Sequence, residues 1–227
     1  MEEETKINYI ESFEQFFQDN YIENIQKAIH SGKKSLYLKF SDLSQFNSEL
    51  AGKLLDSPDE ILHFSFEALQ NLQFNLKPRI TKLTTGIYKV KELRAELVDK
   101  LIQIRGIIKK TSKVKQETIK TIFECPSCGT TKIIHQKGTL KKEPKICSCG
   151  RKGHFTVISE EIGDYQNLDI EELSEEIETT EQPQKIKSLL KGELCSNSLD
   201  ELKSPGTKVN VVGIYRFLNA QPNQNQY

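Results

Sequence analysis

Two short cysteine motifs, each closed by a glycine, constrain this chain more than any other feature of its sequence. The first is Cys125-Pro126-Ser127-Cys128-Gly129 and the second is Cys147-Ser148-Cys149-Gly150. Two thiolates at such spacing can bind one ion, and the glycine lets the turn bring backbone N–H groups toward the sulfurs. The two motifs together predict a structural zinc site held by Cys125, Cys128, Cys147 and Cys149.

The second motif is C-x-C rather than C-x-x-C, which leaves the third and fourth ligands open. The tighter spacing strains simultaneous chelation, so His154 or His135 is an alternative ligand in place of one thiolate, and unmetallated thiols are the other interpretation. A catalytic zinc needs an open coordination position and a nearby general base, and no H-x-E or H-E-x-x-H pattern occurs here. The predicted metal is therefore structural, and the isolated Cys195 is predicted to be a small buried hydrophobic residue.

No apolar run in the sequence is long enough to cross a membrane. Runs such as Val209 to Ile214 are far shorter than the roughly 20 residues that a helical span requires. The N-terminus, Met1-Glu2-Glu3-Glu4, is acidic where a secretory signal carries positive charge. These features predict a cytosolic protein, in which cysteines bind metal or stay buried rather than form disulfides.

The charges are segregated along the chain although they sum to zero. Residues 99–158 carry 14 Lys/Arg against 4 Asp/Glu, whereas residues 160–181 carry 10 acidic residues and no Lys or Arg. Local fields matter more to a polyanion than the net charge does. The chain is therefore predicted to combine a basic module with an acidic loop.

The first part of the chain has the periodicity of helices packed around aromatic side chains. Ser35 to Phe40 alternates as a short strand after this first helical stretch. Two more helical segments follow, Leu43 to Leu55 and Pro58 to Phe74, the latter with Ser57 as its N-cap. Pro78 is predicted to close this helical unit, whose aromatic stripe is interpreted as core rather than as a cofactor site.

After Glu92 the periodicity changes from helical to extended. Leu101 to Ile108 is predicted to be the first strand of a β domain, with Gly106 marking a bulge or sharp bend. A later strand is predicted from Lys208 to Phe217. The cysteine motifs lie between these strands, so their module is predicted to be an insertion in the β domain.

Five further segments follow one another along the chain: Leu97–Ile108, Thr121–Gly129, Gly150–Phe155, Asp164–Gln166 and Pro205–Arg216. Their order and spacing resemble the amino-terminal domain of the archaeal minichromosome maintenance (MCM) replicative helicases. The first segment looks like that family's L-V-G-K-L-V-x-V-R-G-I-V opening, the second like its T-F-x-C-P-x-C-G zinc arm, and the last like its P-G-D-x-V-x-V-T-G-I-Y-R strand. Ser35–Leu69 is also similar to the family's helical subdomain.

The resemblance implies an α+β fold of three subdomains. These are a helical bundle at 1–93, an OB-fold β-barrel at 94–120 and 159–227, and a zinc-ribbon-like subdomain at 121–158 inserted in the barrel. It also implies a ring, a hexamer or double hexamer, whose zinc arms meet head to head and whose channel admits single-stranded and also duplex DNA.

In the family, a C-terminal AAA+ motor hydrolyses ATP with Mg²⁺. No G-x-x-x-x-G-K-[ST] phosphate loop occurs in this sequence, so the chain is predicted not to be an ATPase. Helicase activity then belongs to the parent protein, which is expected in the cytoplasm at the nucleoid.

A run of lysines follows the first predicted β strand: Lys109, Lys110, Lys113 and Lys115. On a curled barrel such side chains can line a groove and neutralise phosphates without reading bases. Taken alone, a run of this kind is more often a solvated face. The resemblance selects Lys110 and Lys115, and also Lys185 after the acidic loop, as the positions that match the family's single-strand-binding residues.

Three other places depart from the family or allow two interpretations. A further DNA-binding arginine of the family falls on Asp169, so that contact is predicted to be absent. Leu168 to Gln184 corresponds to the loop that couples the family's N-terminal ring to the motor, but its glutamates equally fit a disordered, solvated run. Gln221 to Tyr227 holds no Lys or Arg where the family forms a basic hairpin, so the basic strand is either truncated or lacking.

Two other classes of function fit parts of the pattern. One is a monomeric zinc-ribbon/OB module that acts in single-strand protection or transcription. The other is an enzyme that acts through zinc, which would require an open metal site.

Overall fold

The computed structural model describes residues 2–136, 141–173 and 182–217 as a mixed α/β fold. Their α-helices are α1 (Glu2–Asn20), α2 (Ile22–His30), α3 (Phe40–Phe46), α4 (Ser48–Asp56) and α5 (Pro58–Asn71). Their β-strands are β1 (Ser35–Lys39), β2 (Lys77–Thr81), β3 (Ile87–Tyr88), β4 (Leu101–Thr111), β5 (Lys115–Glu124), β6 (Thr131–His135), β7 (Thr156–Glu171), β8 (Lys185–Lys191) and β9 (Lys208–Ile214). No helix among these residues is long and apolar enough to span a membrane.

The chain divides into two compact units. Of the described residues, the first unit contains those within Met1–Ile107, Glu171–Lys185 and Lys208–Tyr227, and the second those within Ile108–Ile170 and Ile186–Thr207. The three-part division made from the sequence stays a prediction. Two of its boundaries, at 120 and 158, fall inside the continuous strands β5 and β7.

The first unit is built around the aromatic side chains of α1. Phe13, Phe16 and Phe17 are completely or almost completely buried, and they recur at the three- and four-residue spacing of one helical face. This face packs against α5. Burial of each phenylalanine contributes about 1.5–3 kcal/mol, so the aromatic stripe is the core of this unit, as predicted.

Tyr21 lies between α1 and α2 with its hydroxyl inside the unit. The hydroxyl donates to Asp42 Oδ2 at 2.8 Å and accepts the backbone N–H of Lys39 at 2.9 Å. Burial, with a further contribution from Asp42, raises the pKa of Tyr21 to about 12. The hydroxyl therefore stays protonated in the folded protein well above the pH at which a free tyrosine ionises.

We expect Tyr21→Phe to lower the free energy of unfolding by about 1–3 kcal/mol at neutral pH, because Asp42 and the Lys39 N–H lose their partner. The difference in free energy of unfolding between wild type and variant should shrink as the pH rises from 10.0, the ordinary pKa of tyrosine, toward about 12, the pKa of Tyr21 in the folded protein. In this window the unfolded tyrosine loses its proton while the folded one keeps it, so wild-type stability falls with pH. Urea unfolding of both proteins at pH 7 and pH 11 measures the difference, and a deficit independent of pH would contradict the buried-hydroxyl account.

The predicted helix from Leu43 to Leu55 is two helices. Asn47 separates them, because it ends α3 in an extended conformation and caps α4, its Oδ1 accepting the N–H of Leu50 at 3.0 Å. Ser57 precedes α5 as predicted, but its side chain makes no capping hydrogen bond.

The chain after α5 adds a strand to the first unit. Gln73 has a left-handed φ of 66°, and α5 ends before it. Pro78, which was predicted to close the unit, instead lies in β2, opposite Leu36 of the parallel strand β1. A two-stranded sheet has a free edge on each strand, so a residue without an N–H is tolerated there.

Also in the first unit, β4 pairs in parallel with β3 and antiparallel with β9. The β4–β9 register runs from Leu101 to Ile107 without interruption, so the bulge predicted at Gly106 is absent from this ladder. Asp99, just before β4, has a left-handed φ of 66° at the position where the MCM pattern has glycine. Its carboxylate accepts a hydrogen bond from Arg216, which also binds Asp59 at the start of α5.

The second unit is centred on the antiparallel pair β5 and β7. β5 also pairs with β6, and β7 with β8. Register shifts between Thr118 and Lys120 and between Ile122 and Phe123 let the β5–β7 pair bend. Beyond them the cysteine motifs close a small separate core, whose members are Phe123, Cys125, Cys147 and Phe155, with Ile134 packed against them.

Candidate metal centre and nucleic-acid interface

Each of the two cysteine motifs folds into a turn that is closed by its glycine. In the first turn the carbonyl of Cys125 accepts the N–H of Gly129 at 2.8 Å, and in the second the carbonyl of Cys147 accepts the N–H of Gly150 at 3.0 Å. Both glycines have positive φ, 69° and 86°, a conformation that a side chain disfavours. The glycine that closes each motif is thus required by the turn itself.

The turns bring the four cysteine sulfurs together. All four Sγ atoms lie within 4.8 Å of one another. The Cys125–Cys149 distance is 3.7 Å and the Cys128–Cys147 distance is 3.6 Å. Metal–sulfur bonds of about 2.3 Å in a tetrahedral zinc site place sulfurs about 3.8 Å apart. The cluster therefore has the size of a four-coordinate metal site in which every position is filled by a protein ligand.

The thiols of this cluster differ in how readily they ionise. The backbone N–H of Cys149 is the main cause that lowers the pKa of Cys147 to about 6, and hydrogen bonding with Thr130 lowers the pKa of Cys128. At Cys149 the N–H of Arg151 acts in the same direction, but hydrogen bonds with the neighbouring thiols outweigh it and raise the pKa to about 11. Adjacent thiolates repel one another, which makes it costly to ionise all four thiols together. A divalent cation among them removes this electrostatic cost.

The two histidines considered as alternative ligands lie apart from the sulfurs. His154 has a fully exposed side chain, with Nδ1 3.5 Å from Glu143 Oε2. His135 is the last residue of β6, opposite Lys120. Within the described ranges, the group of side chains that can hold a metal consists of the four cysteines. Cys195 is buried outside this group.

The lysine run begins inside β4 rather than after it. β4 extends to Thr111, so Lys109 and Lys110 are consecutive strand residues that point to opposite faces. Lys113 lies in the connection to β5, and Lys115 is the first residue of β5. All four side chains are exposed. No ion pair joins Lys110, Lys113 or Lys115 to a carboxylate in the part of the chain that the structure describes.

The segment from Lys109 to Lys115, here called the lysine segment, is held at its centre by Ser112. The N–H of Ser112 donates to the Asn167 carbonyl at 2.9 Å, and its hydroxyl accepts the Asn167 N–H at 3.0 Å. Its carbonyl accepts the side-chain amide of Gln166, a buried residue of β7, at 2.9 Å. The Gln of the Asp164-Tyr165-Gln166 segment therefore positions the lysines, a role that the sequence did not reveal. Such anchoring lowers the conformational entropy lost when a ligand binds.

Lys185 differs from Lys110, Lys113 and Lys115 because a carboxylate lies beside it. Its Nζ is 3.3 Å from Glu171 Oε2. The next residue, Glu172, accepts the backbone N–H groups of Lys91 at 2.8 Å and of Gln184 at 3.1 Å. Both glutamates are buried, so these two members of the acidic stretch are not part of a solvated run. The glutamates at positions 175–181 and the tail from 218 onward lie outside the described residues.

Comparison with known proteins matches the chain to one family over almost its full length. The sequence profile of the MCM N-terminal domain matches residues 4–120, and that of the MCM OB domain matches residues 89–219. A crystal structure of the N-terminal domain of an archaeal MCM has a TM-score of 0.77 to this structure. It is 26% identical, and the match covers 96% of this chain and 92% of that chain.

Curated relatives come from archaea and eukaryotes. The "Minichromosome maintenance protein MCM" of Saccharolobus solfataricus is 29% identical over an alignment of 223 residues, and the match covers 90% of this chain and 32% of that protein. The "DNA replication licensing factor mcm5" of Dictyostelium discoideum is 25% identical over an alignment of 224 residues, and the match covers 87% of this chain and 29% of that protein. The chain thus spans about a third of the length of these relatives.

The fold and the cysteine site together define a class of protein: an OB-fold-like protein with a helical part and a four-cysteine arm that can hold a metal. Each of the two sequence profiles then covers more than half of the chain. The chain belongs to the minichromosome maintenance (MCM) family and corresponds to its N-terminal domain. The resemblance seen in the sequence is confirmed.

Proposed function

We propose that this chain is the N-terminal DNA-binding and ring-assembly region of an ATP-dependent replicative DNA helicase. In this role it binds single-stranded DNA in a central channel without sequence preference. The observation that carries the proposal is the anchored lysine segment. Lys110, Lys113 and Lys115 are exposed and have no acidic partner among the described residues, and they lie on an OB-fold-like scaffold of the MCM family. The relatives, a minichromosome maintenance protein and a DNA replication licensing factor, support a role in replication.

Lys110 and Lys115 supply the main phosphate contacts in this proposal. A lysine ammonium is a point charge that neutralises a phosphate but does not distinguish base edges, so binding is independent of sequence. Lys113 lies between them and can add a contact, whereas Lys109 points to the face opposite Lys110. Duplex DNA presents the same phosphates and is expected to bind as well.

Zinc is the metal proposed for the four-cysteine cluster. Thiolate ligands and tetrahedral geometry are typical of structural zinc, and sulfur separations of 3.6 and 3.7 Å fit its bond lengths. Four protein ligands leave no position for a water nucleophile, which argues against an enzyme that acts through zinc. The role proposed for the metal is to hold the arm in shape for contact between rings.

The ATPase motor, with its ATP and Mg²⁺, is proposed to lie in the parent protein, because this chain covers only about a third of its relatives. A hexamer or double hexamer would repeat the lysine segment around a channel, and several modest contacts would then act together on one strand. The parent protein is proposed to work in the cytoplasm, at the nucleoid.

Size-exclusion chromatography with light scattering, with and without a single-stranded oligonucleotide, tests the assembly part of the proposal. We expect hexamers or double hexamers at high protein concentration, favoured by DNA. A chain that binds DNA but stays monomeric throughout would support the other interpretation, a zinc-ribbon/OB module that acts alone in single-strand protection or transcription.

A further inference from the structure

The pair formed by Lys185 and Glu171 is asymmetric in its exposure to solvent. The side chain of Lys185 is 67% exposed, whereas that of Glu171 is 12% exposed. The ammonium therefore faces the solvent from which a phosphate would approach, while the carboxylate 3.3 Å away is largely covered by protein. Because protein covers it, the Glu171 carboxylate cannot readily rotate out into the solvent when a phosphate binds Lys185.

The backbone around this pair is held on both sides. The N–H of Glu172 donates to the carbonyl of Gln184 at 3.1 Å, and the Glu172 carboxylate accepts the N–H of Gln184 at 3.1 Å. The same carboxylate accepts the N–H of Lys91 at 2.8 Å. These hydrogen bonds hold the backbone at residues 171–172 next to the backbone at residues 184–185, which places Lys185 beside Glu171.

We propose that Glu171 is an affinity-setting residue of the DNA site, which competes with phosphate for Lys185. This inference rests on the proposed function, in which Lys185 is one of the phosphate-binding lysines. A phosphate that takes Lys185 must draw the ammonium away from the largely covered Glu171 carboxylate, and a phosphate that shares Lys185 is repelled by that carboxylate. Lys185 therefore contributes less to DNA binding than Lys110, which has no acidic partner in the described part of the chain.

Glu171→Gln removes the competing charge and keeps the size of the side chain. We expect the variant to bind single-stranded oligonucleotides about three to five times more tightly at low salt, the range expected for releasing a partly exposed ion pair. The gain should disappear when Lys185→Ala is added, because the released lysine is then missing. Glu23→Gln is the matched control, since Glu23 pairs with Lys27 in α2 at 3.6 Å and its replacement changes the net charge equally.

Fluorescence anisotropy of labelled poly-dT measures these affinities, and thermal unfolding checks that each variant is folded. An unchanged affinity in folded Glu171→Gln, an equal gain in Glu23→Gln, or a gain that survives Lys185→Ala would each overturn the inference. If Glu171→Gln does not fold, Lys185→Ala and Lys110→Ala decide: the inference requires a smaller loss for Lys185→Ala, and an equal or larger loss contradicts it. Failure of the proposed function would look different, because the wild-type chain itself would not bind.

Discussion

Replacing Cys125 by serine is expected to release the bound metal and unfold the arm around β5, β6 and the start of β7. Cys125 is 1% exposed and is one of the few members of the small core of the arm, together with Phe123, Cys147 and Phe155. So few apolar side chains cannot stabilise a fold alone, whereas structural zinc contributes on the order of 10 kcal/mol in small zinc-binding peptides. Purified wild-type protein should hold about one zinc per chain.

Elemental analysis and amide hydrogen exchange measure the two effects. The variant should hold well under half a zinc per chain and lose exchange protection in the arm, while the helices around Phe13 and Phe17 keep theirs. Cys195→Ser is the matched control, because Cys195 is also buried but lies outside the sulfur cluster. Zinc content that is low already in unsupplemented wild-type protein, or equal in the two variants, would contradict the metal assignment.

Lys110→Ala combined with Lys115→Ala is expected to weaken single-strand binding by roughly tenfold to thirtyfold at 0.1 M salt. The estimate follows from counterion release, in which each phosphate contact on single-stranded DNA adds about 0.7 to the slope of log affinity against log salt. Two contacts therefore account for about 1.4 decades of affinity between 1 M and 0.1 M salt. The loss should be the same on unrelated sequences, because lysine contacts with phosphates do not read bases. Assembly and thermal stability should not change, since both side chains are exposed and neither pairs with a carboxylate among the described residues.

Lys27→Ala combined with Lys33→Ala is the matched control for this double variant. Both residues are exposed and belong to the helical part of the chain, so the net charge changes equally. If the control loses as much affinity as the double variant, binding reflects overall charge rather than the lysine segment. If neither loses affinity, the basic residues of the arm, Lys141, Lys142, Arg151 and Lys152, become the candidates.

The features that could be predicted from the sequence are those that depend on local spacing. The cysteine turns need a glycine at positive φ, and this requirement is visible as the residue that follows each motif. The core face of α1 could be found for the same reason, because helical periodicity places Phe13 and Phe17 on one side. A short range of sequence contains all the information in both cases.

The features that were missed depend on segments far apart in the chain. Pro78 could not be assigned to a strand, because its partner β1 lies before three helices. Glu172 is one glutamate among many in an acidic stretch, and only the backbone N–H groups of Lys91 and Gln184 mark it as structural. Lys185 was selected through the family resemblance, but the carboxylate of Glu171 beside it is a property of the folded chain.

The most direct test of the central claim is the salt dependence of single-strand binding by the wild-type chain. Anisotropy is recorded with two labelled oligonucleotides of unrelated sequence across a salt series. We predict that log affinity falls linearly with log salt and that the slope is the same for both sequences. Each phosphate contact should contribute about 0.7 to the steepness of this slope. A slope near zero, or affinities that differ between the sequences while the slopes stay shallow, would contradict a non-specific interface built from lysines.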